Sequence, residues 1–247
     1  MRVFGNVAPA LGERNVLAFC FKSAAWQRIK VVPQEDISSC PCNLQGQDFF
    51  IIEVRIMKKI IVGISGADGV CMGVRLLELL QPLKDVETHV VLTQAAEKNL
   101  EYEGFAMGQV RALADCFYAA DDMCAKIASG SFLTEGMLIV PCSMKSLAAI
   151  CSGYTDNLLQ LAADVCLKEK RRVVLVPREM PLGRVHLRNL LTADELGCTI
   201  VPPVLTFYNK PASVQDHIDH ILAKALLQFG IVLPTFKPWE GREHAGI

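Results

Sequence analysis

From Lys59 onward the chain alternates between two hydrophobic rhythms. Short, almost unbroken apolar runs read as strands buried on both faces: Lys59 to Ile64, Glu87 to Leu92, Gly136 to Val140 and Arg172 to Val176. Pro141 and Pro177 stop the last two, and a shorter strand, Thr199 to Val201, precedes Pro202-Pro203. Between them lie stretches with apolar residues at helical spacing. These predict helices over Val70 to Leu80, Gln94 to Tyr102, Met144 to Ile150, Asn157 to Lys170 and Leu187 to Leu196. A final amphipathic helix runs from Ser213 to Phe229, with Ser213 as its cap. Strands alternating with helices predict a parallel sheet covered on both faces. Ligands of such sheets bind at the carboxyl ends of the strands. Five loops occupy those ends: "SGADG", "TQAA", "PCSMKS", "PREMPL" and "PPVLTFYNKP".

Residues 1 to 56 lack this order and mix Pro, Gly, Cys and Trp without sustained periodicity. "MKKIIVGISG" then opens at Met57 like a natural bacterial start, and Glu53-Val54 permits codons that read as a ribosome-binding sequence just ahead of it. The expectation is a working domain over 57 to 247, with 1 to 56 an extension arising from an upstream start or else a real, poorly packed N-terminal arm.

Composition narrows the classes. The chain has 247 residues, 51% of them apolar, and a formal net charge of −1. That balance suits a sizeable core and argues against a general nucleic-acid binder. No apolar run is long enough for a membrane span, and the start does not read as a signal peptide. Ten cysteines are scattered; Cys40 and Cys42 lie close, but no second pair or histidine partners complete a zinc pattern. Buried thiols in a cytoplasmic protein fit better, with no metal site.

The loops carry the chemistry. Gly63, Gly66, Gly69 and Gly73 match neither the dinucleotide fingerprint nor a P-loop. Such a turn can still aim amides at an anion by the next helix, or be a plain strand-to-helix connection. In "PCSMKS", Ser143 and Ser146 offer hydroxyls and Lys145 a cation; Cys142 has no assignable His/Asn partners. Arg178 and Glu179 follow a buried strand, and with Lys168, Tyr208 and Lys224 they offer several donors for a phosphate. His186 reads as a packing or interface residue.

"VGISGADG", "PCSMKSLA", "DNLLQLAADVCLKEKRRVVLVPREMPL", "HLRNLL" and "PPVLTFYNKP" together resemble the UbiX-type flavin prenyltransferases, from Met57 to about Trp239. "IASGSF" and "QFGI" resemble the branch of that family named after phenolic or hydroxyarylic acid decarboxylases. The resemblance implies a flavodoxin-like Rossmann three-layer α/β sandwich that binds FMN. It implies metal-independent transfer of the dimethylallyl group of dimethylallyl phosphate to N5 and C6 of reduced FMN. The product, prenylated FMN, would serve a separate UbiD-type decarboxylase. It also implies a homo-oligomer, usually a dodecamer, with pockets at subunit interfaces.

By the same resemblance, FMN contacts fall on Gly66, Ala67, Asp68, Thr93, Ser143, Met144, Lys145, Ser146 and Arg178. Prenyl-phosphate contacts fall on Lys168, Arg178, Tyr208 and Lys224, with Glu179 beside them. The acidic residue near the reacting flavin falls on Glu103, and a tail aromatic on Trp239. Lysine and arginine would stabilise the charge growing on the leaving phosphate, and Glu103 and Glu179 would assist proton movement. The family usually has Ser or Thr where this chain has Asp68. Two other readings follow: a flavin-binding accessory protein of a hydroxyarylic acid decarboxylase, without catalysis of its own, and the related cysteine decarboxylases. The latter rely on an early histidine and a "PASANT"-like stretch; here that stretch is "PCSMKS", and no histidine of the domain precedes His89.

Overall fold

The computed structural model describes residues 57–241 and, upstream, the backbone at 16–19, 30–32 and 50–53. The chain divides into two units, Met1–Met57 and Lys58–Ile247. In the first, β1 (Val16–Phe19) pairs antiparallel with both β2 (Lys30–Val32) and β3 (Phe50–Glu53). Cys40, Cys42 and the rest of 1–56 lie outside the described residues.

The second unit holds a six-stranded parallel sheet. Its strands are β4 (Lys58–Ile64), β5 (Val86–Leu92), β6 (Cys116–Tyr118), β7 (Gly136–Cys142), β8 (Arg172–Pro177) and β9 (Cys198–Ile200). The spatial order is β6-β5-β4-β7-β8-β9, every neighbouring pair parallel. Alternate side chains of each central strand feed opposite layers. Ile60, Val62 and Ile64 join one core with α1 (Val70–Leu80), α2 (Gln94–Tyr102), α3 (Met107–Leu113) and α7 (Val214–Leu227). Ile61, Met137 and Ile139 join the other with α4 (Met144–Ser152), α5 (Leu158–Lys168) and α6 (Arg184–Glu195). This is the expected flavodoxin-like Rossmann three-layer sandwich. Because both faces of the strands are covered, their sequence lacks a polar alternation.

Several element bounds depart from the sequence reading, and α3 and β6 are absent from it. β6 is a three-residue edge strand, half-buried throughout, so it lacks an apolar run, and α3 buries Val110 alone. α5 stops at Lys168 rather than Lys170, whose φ of 58° lies in the left-handed region. α6 begins at Arg184, three residues early, because only Ala193 of that helix is buried and no core-facing stripe marks its first turn. Ser213 caps α7 as expected, accepting from the Asp216 amide at 3.2 Å.

The strand order reverses between β4 and β7. Chains leaving the tips of these two neighbours pass to opposite faces and open a crevice, the switch point at which doubly wound sheets bind ligands.

Candidate functional site

That crevice is a cavity of about 710 Å³ at the strand tips. Its walls are the β4–α1 turn (Gly66, Ala67, Asp68), the starts of α2 (Thr93 to Ala95), α4 (Ser143 to Ser146) and α5 (Asn157), and the β8 tip (Arg178, Glu179). Three helix N-termini therefore face one space, which favours a bound anion.

Buried Ser65 ties two of the walls together. Its hydroxyl donates to the Pro141 carbonyl at 2.8 Å and accepts from the Ser143 amide at 2.7 Å. Asn99 of α2 holds the turn from the other side, donating to the Ala67 carbonyl at 3.0 Å. Gly66 is required by close approach: a Cβ there would lie 2.2 Å from that of Ala95. Gly69, the last residue of the turn, has a φ of 89°.

The amides after the turn have a partner already. Gly69, Val70 and Cys71 donate to the carboxylate of Glu103 at 2.7, 3.0 and 2.8 Å. Glu103 is thus the cap of α1, reaching across from the end of α2, and it does not line the cavity. The start of α4 differs. Ser143 caps it through the Ser146 amide at 3.2 Å, and the Met144 and Lys145 amides have no protein acceptor among the described residues.

Charges in the cavity are mixed. Asp68, Asp121, Asp156 and Glu179 stand against Lys98, Lys145 and Arg178. Asp68 and Arg178 form an ion pair that joins the β4 turn to the β8 tip. Cys142 is fully buried, and that burial pushes its thiol far above the ordinary range, so no thiolate nucleophile stands at the α4 start. His186 serves as a helix cap, accepting from the Gly183 amide at 3.2 Å.

The expected FMN contacts (Gly66, Ala67, Asp68, Thr93, Ser143, Met144, Lys145, Ser146 and Arg178) all line this cavity, as does Glu179. Of the expected prenyl-phosphate contacts only Arg178 lines it; Lys168, Tyr208 and Lys224 do not converge on it within one chain. Lys168 ends α5, whose first turn borders the cavity, so it sits about 15 Å away along the helix axis. It is 57% exposed, with Glu169 at 3.6 Å. Tyr208, Trp239 and Lys224 group elsewhere, around His220. The Tyr208 hydroxyl is 3.2 Å from His220 Nε2, and its ring meets those of His220 and Trp239 edge-on. Burial, then the charge of Lys224, pushes His220 below the ordinary imidazole range. Sequence reasoning missed Ser65, Asn157 and Gln160 as parts of the site. Asn157 carried a signal, since it precedes a helix and accepts from the Gln160 amide at 3.1 Å as an N-cap.

Comparison with known proteins gives a consistent set. The family model described as Flavoprotein matches residues 54–226. A probable UbiX-like flavin prenyltransferase of Sedimentibacter hydroxybenzoicus is 49% identical over 184 residues, 74% of this chain and 97% of the relative. A dodecameric FMN-dependent UbiX-like decarboxylase of Escherichia coli O157:H7 superposes with a TM-score of 0.72 at 47% identity, covering 74% of this chain and all of that one. A UbiX protein solved with FMN and dimethylallyl pyrophosphate gives a TM-score of 0.73 at 45% identity, covering 76% and 100%.

Proposed function

From the premise that this chain belongs to the Flavoprotein family and, within it, to the UbiX-like flavin prenyltransferases, we propose how its residues divide the work. The protein is a flavin prenyltransferase that joins the dimethylallyl group of dimethylallyl phosphate to reduced FMN, giving prenylated FMN. The work falls to residues 57 to 247. The cavity fits FMN on the chain's own features: a volume within the usual range for ligand sites, three helix starts facing it, and free amides at the α4 start. Reduced FMN, when bound, supplies the nucleophilic ring.

The residues do the rest. Ser143, Ser146 and the α4 amides hold a phosphate group at a helix start. Arg178 and Lys145 stabilise negative charge as the allylic C–O bond breaks, in place of a metal. Glu179, exposed in the cavity, helps move the proton lost from the ring, whereas Glu103 fixes the β4 turn through three amides. Lys168, Tyr208, Lys224 and Trp239 complete the prenyl-phosphate pocket from neighbouring copies of the chain. In support, α6 exposes Leu187 and Leu191, one turn apart on the same face, at 53% and 59%, an apolar strip suited to burial between copies. A homo-oligomer, a dodecamer in this reading, forms on that face. A UbiD-type decarboxylase receives the product in the cytoplasm. Among the described residues no helix is long and apolar enough to cross a membrane.

The observation that carries this reading is that nine residues from four separate loops, each matched to a flavin contact, line one cavity at the switch point. The test mixes purified protein, reduced FMN and dimethylallyl phosphate without oxygen and weighs the flavin. FMN heavier by one C5 unit is the expected result, and Arg178→Gln should lower its rate about 100-fold. Flavin bound but unchanged would instead make the chain an accessory carrier.

A further inference from the structure

Asp68 is held where it is by the fold. Ahead of it, the Ala67 amide donates to the Ser65 carbonyl at 2.8 Å, and the Ala67 carbonyl accepts from Asn99. After it, the Gly69 amide is fixed on Glu103. Arg178 is anchored in turn, its amide donating to the Cys142 carbonyl at 3.1 Å. Two anchored loops therefore present the carboxylate and the guanidinium to each other across the cavity, where they form their ion pair.

A phosphate monoester offers Arg178 the same kind of partner: paired, negatively charged oxygens that accept from a guanidinium. It meets a guanidinium already paired, in a cavity with four carboxylates against three cations. We propose that Asp68 is a built-in competitor for the prenyl donor's phosphate at Arg178. It weakens the donor's binding and speeds the departure of the phosphate released by transfer, because Arg178 always has a second anion to return to. The inference rests on the prenyltransferase reading and adds to it a residue that sets donor affinity.

Both side chains are well exposed, Asp68 at 70% and Arg178 at 39%, so water and salt screen the pair and the effect is modest. Asp68→Asn keeps the side chain's shape and removes its charge, and exposure makes loss of folding no obstacle. The experiment titrates dimethylallyl phosphate calorimetrically into protein loaded with oxidised FMN, which lacks the reduced ring's nucleophile. At low ionic strength Asp68→Asn and Asp68→Ser should bind roughly two- to five-fold more tightly than wild type. The gap should close as salt is raised to about 0.5 M. Equal or weaker binding by Asp68→Asn overturns the proposal, and so does a gain that salt leaves untouched. A wild type that binds no dimethylallyl phosphate at all overturns the functional reading instead, a result separate from equal binding by both proteins.

Discussion

Two helices, α1 and α4, start side by side at the tips of neighbouring strands, and their first amides meet different partners. At α1, three amides converge on Glu103, a side chain more than thirty residues away in sequence. At α4, the cap is the local hydroxyl of Ser143, and the Met144 and Lys145 amides have no protein acceptor among the described residues. The glycine-rich start, which by its composition looks like the anion cradle, already holds the protein's own carboxylate. The serine-rich start is the one with donors left for a phosphate. Glycine in the β4 turn serves close approach to α2 instead. A glycine turn ahead of a helix thus says little about anion binding until the destination of its amides is known.

The largest effect expected from this contrast is on stability. Glu103→Ala strips three half-buried amides of a charged acceptor and should cost about 2 to 3 kcal/mol. In a domain of this size that lowers the melting temperature by roughly 5 to 10 °C. Ser143→Ala removes one capping hydroxyl and should cost about 1 kcal/mol. Thermal denaturation of the two variants measures the difference, and equal losses would erase the distinction between the two starts. Next in size comes Ser65→Ala. Its hydroxyl is fully buried and couples the two loops; its removal leaves the Ser143 amide without an acceptor, while the Pro141 carbonyl keeps the Ser65 amide at 3.2 Å. About 1 to 2 kcal/mol of stability should go with it. FMN affinity, followed by quenching of flavin fluorescence, should fall as well, because Ser143 loses its anchor. Unchanged FMN affinity would mean that the walls hold their spacing without the staple.

Much of this was legible in the sequence, for a reason that also marks where legibility ends. The runs that became β4, β5, β7 and β8 are buried on both faces, so their apolar continuity is dictated locally. The loops that line the cavity follow those runs directly, so Gly66 to Asp68, Ser143 to Ser146 and Arg178 could be placed at strand ends from the pattern, while their match to flavin contacts rests on the resemblance to the UbiX-type family. β6 and α3 carry no such signature, because each is short and mostly half-buried. Glu103 could be picked out but not given its place, since capping α1 depends on how α2 packs beside it. Lys168, at the far end of α5 from the cavity, and the Tyr208, His220, Trp239 cluster belong to surfaces that no local pattern links to the strand tips. The Asp68–Arg178 pair was equally hidden: it joins residues 110 apart in sequence.

The smallest predicted effect separates the two starts by chemistry rather than stability. A thiol at a helix N-terminus ordinarily ionises more readily, because the dipole favours the thiolate. Cys71 and Cys142 stand at the two starts, and both are pushed the other way. For Cys142 the cause is complete burial. For Cys71 burial comes first, and the carboxylate of Glu103 adds to it by charge and by hydrogen bonding. Removing that charge must therefore lower the Cys71 pKa, so that at any pH below its inflection a larger share of the thiol is ionised. Glu103→Gln should accelerate alkylation of Cys71 by iodoacetamide several-fold near pH 8 and move the inflection of its rate profile to lower pH. Simple loosening of the α1 start would raise the plateau rate and leave the inflection where it is. Cys142 serves as the internal control, since nothing at Glu103 bears on its burial. If Cys142 gains reactivity in step with Cys71, the substitution has opened the fold as a whole. If the Cys71 inflection stays fixed while its rate rises, Glu103 holds the helix start but does not set the charge around it.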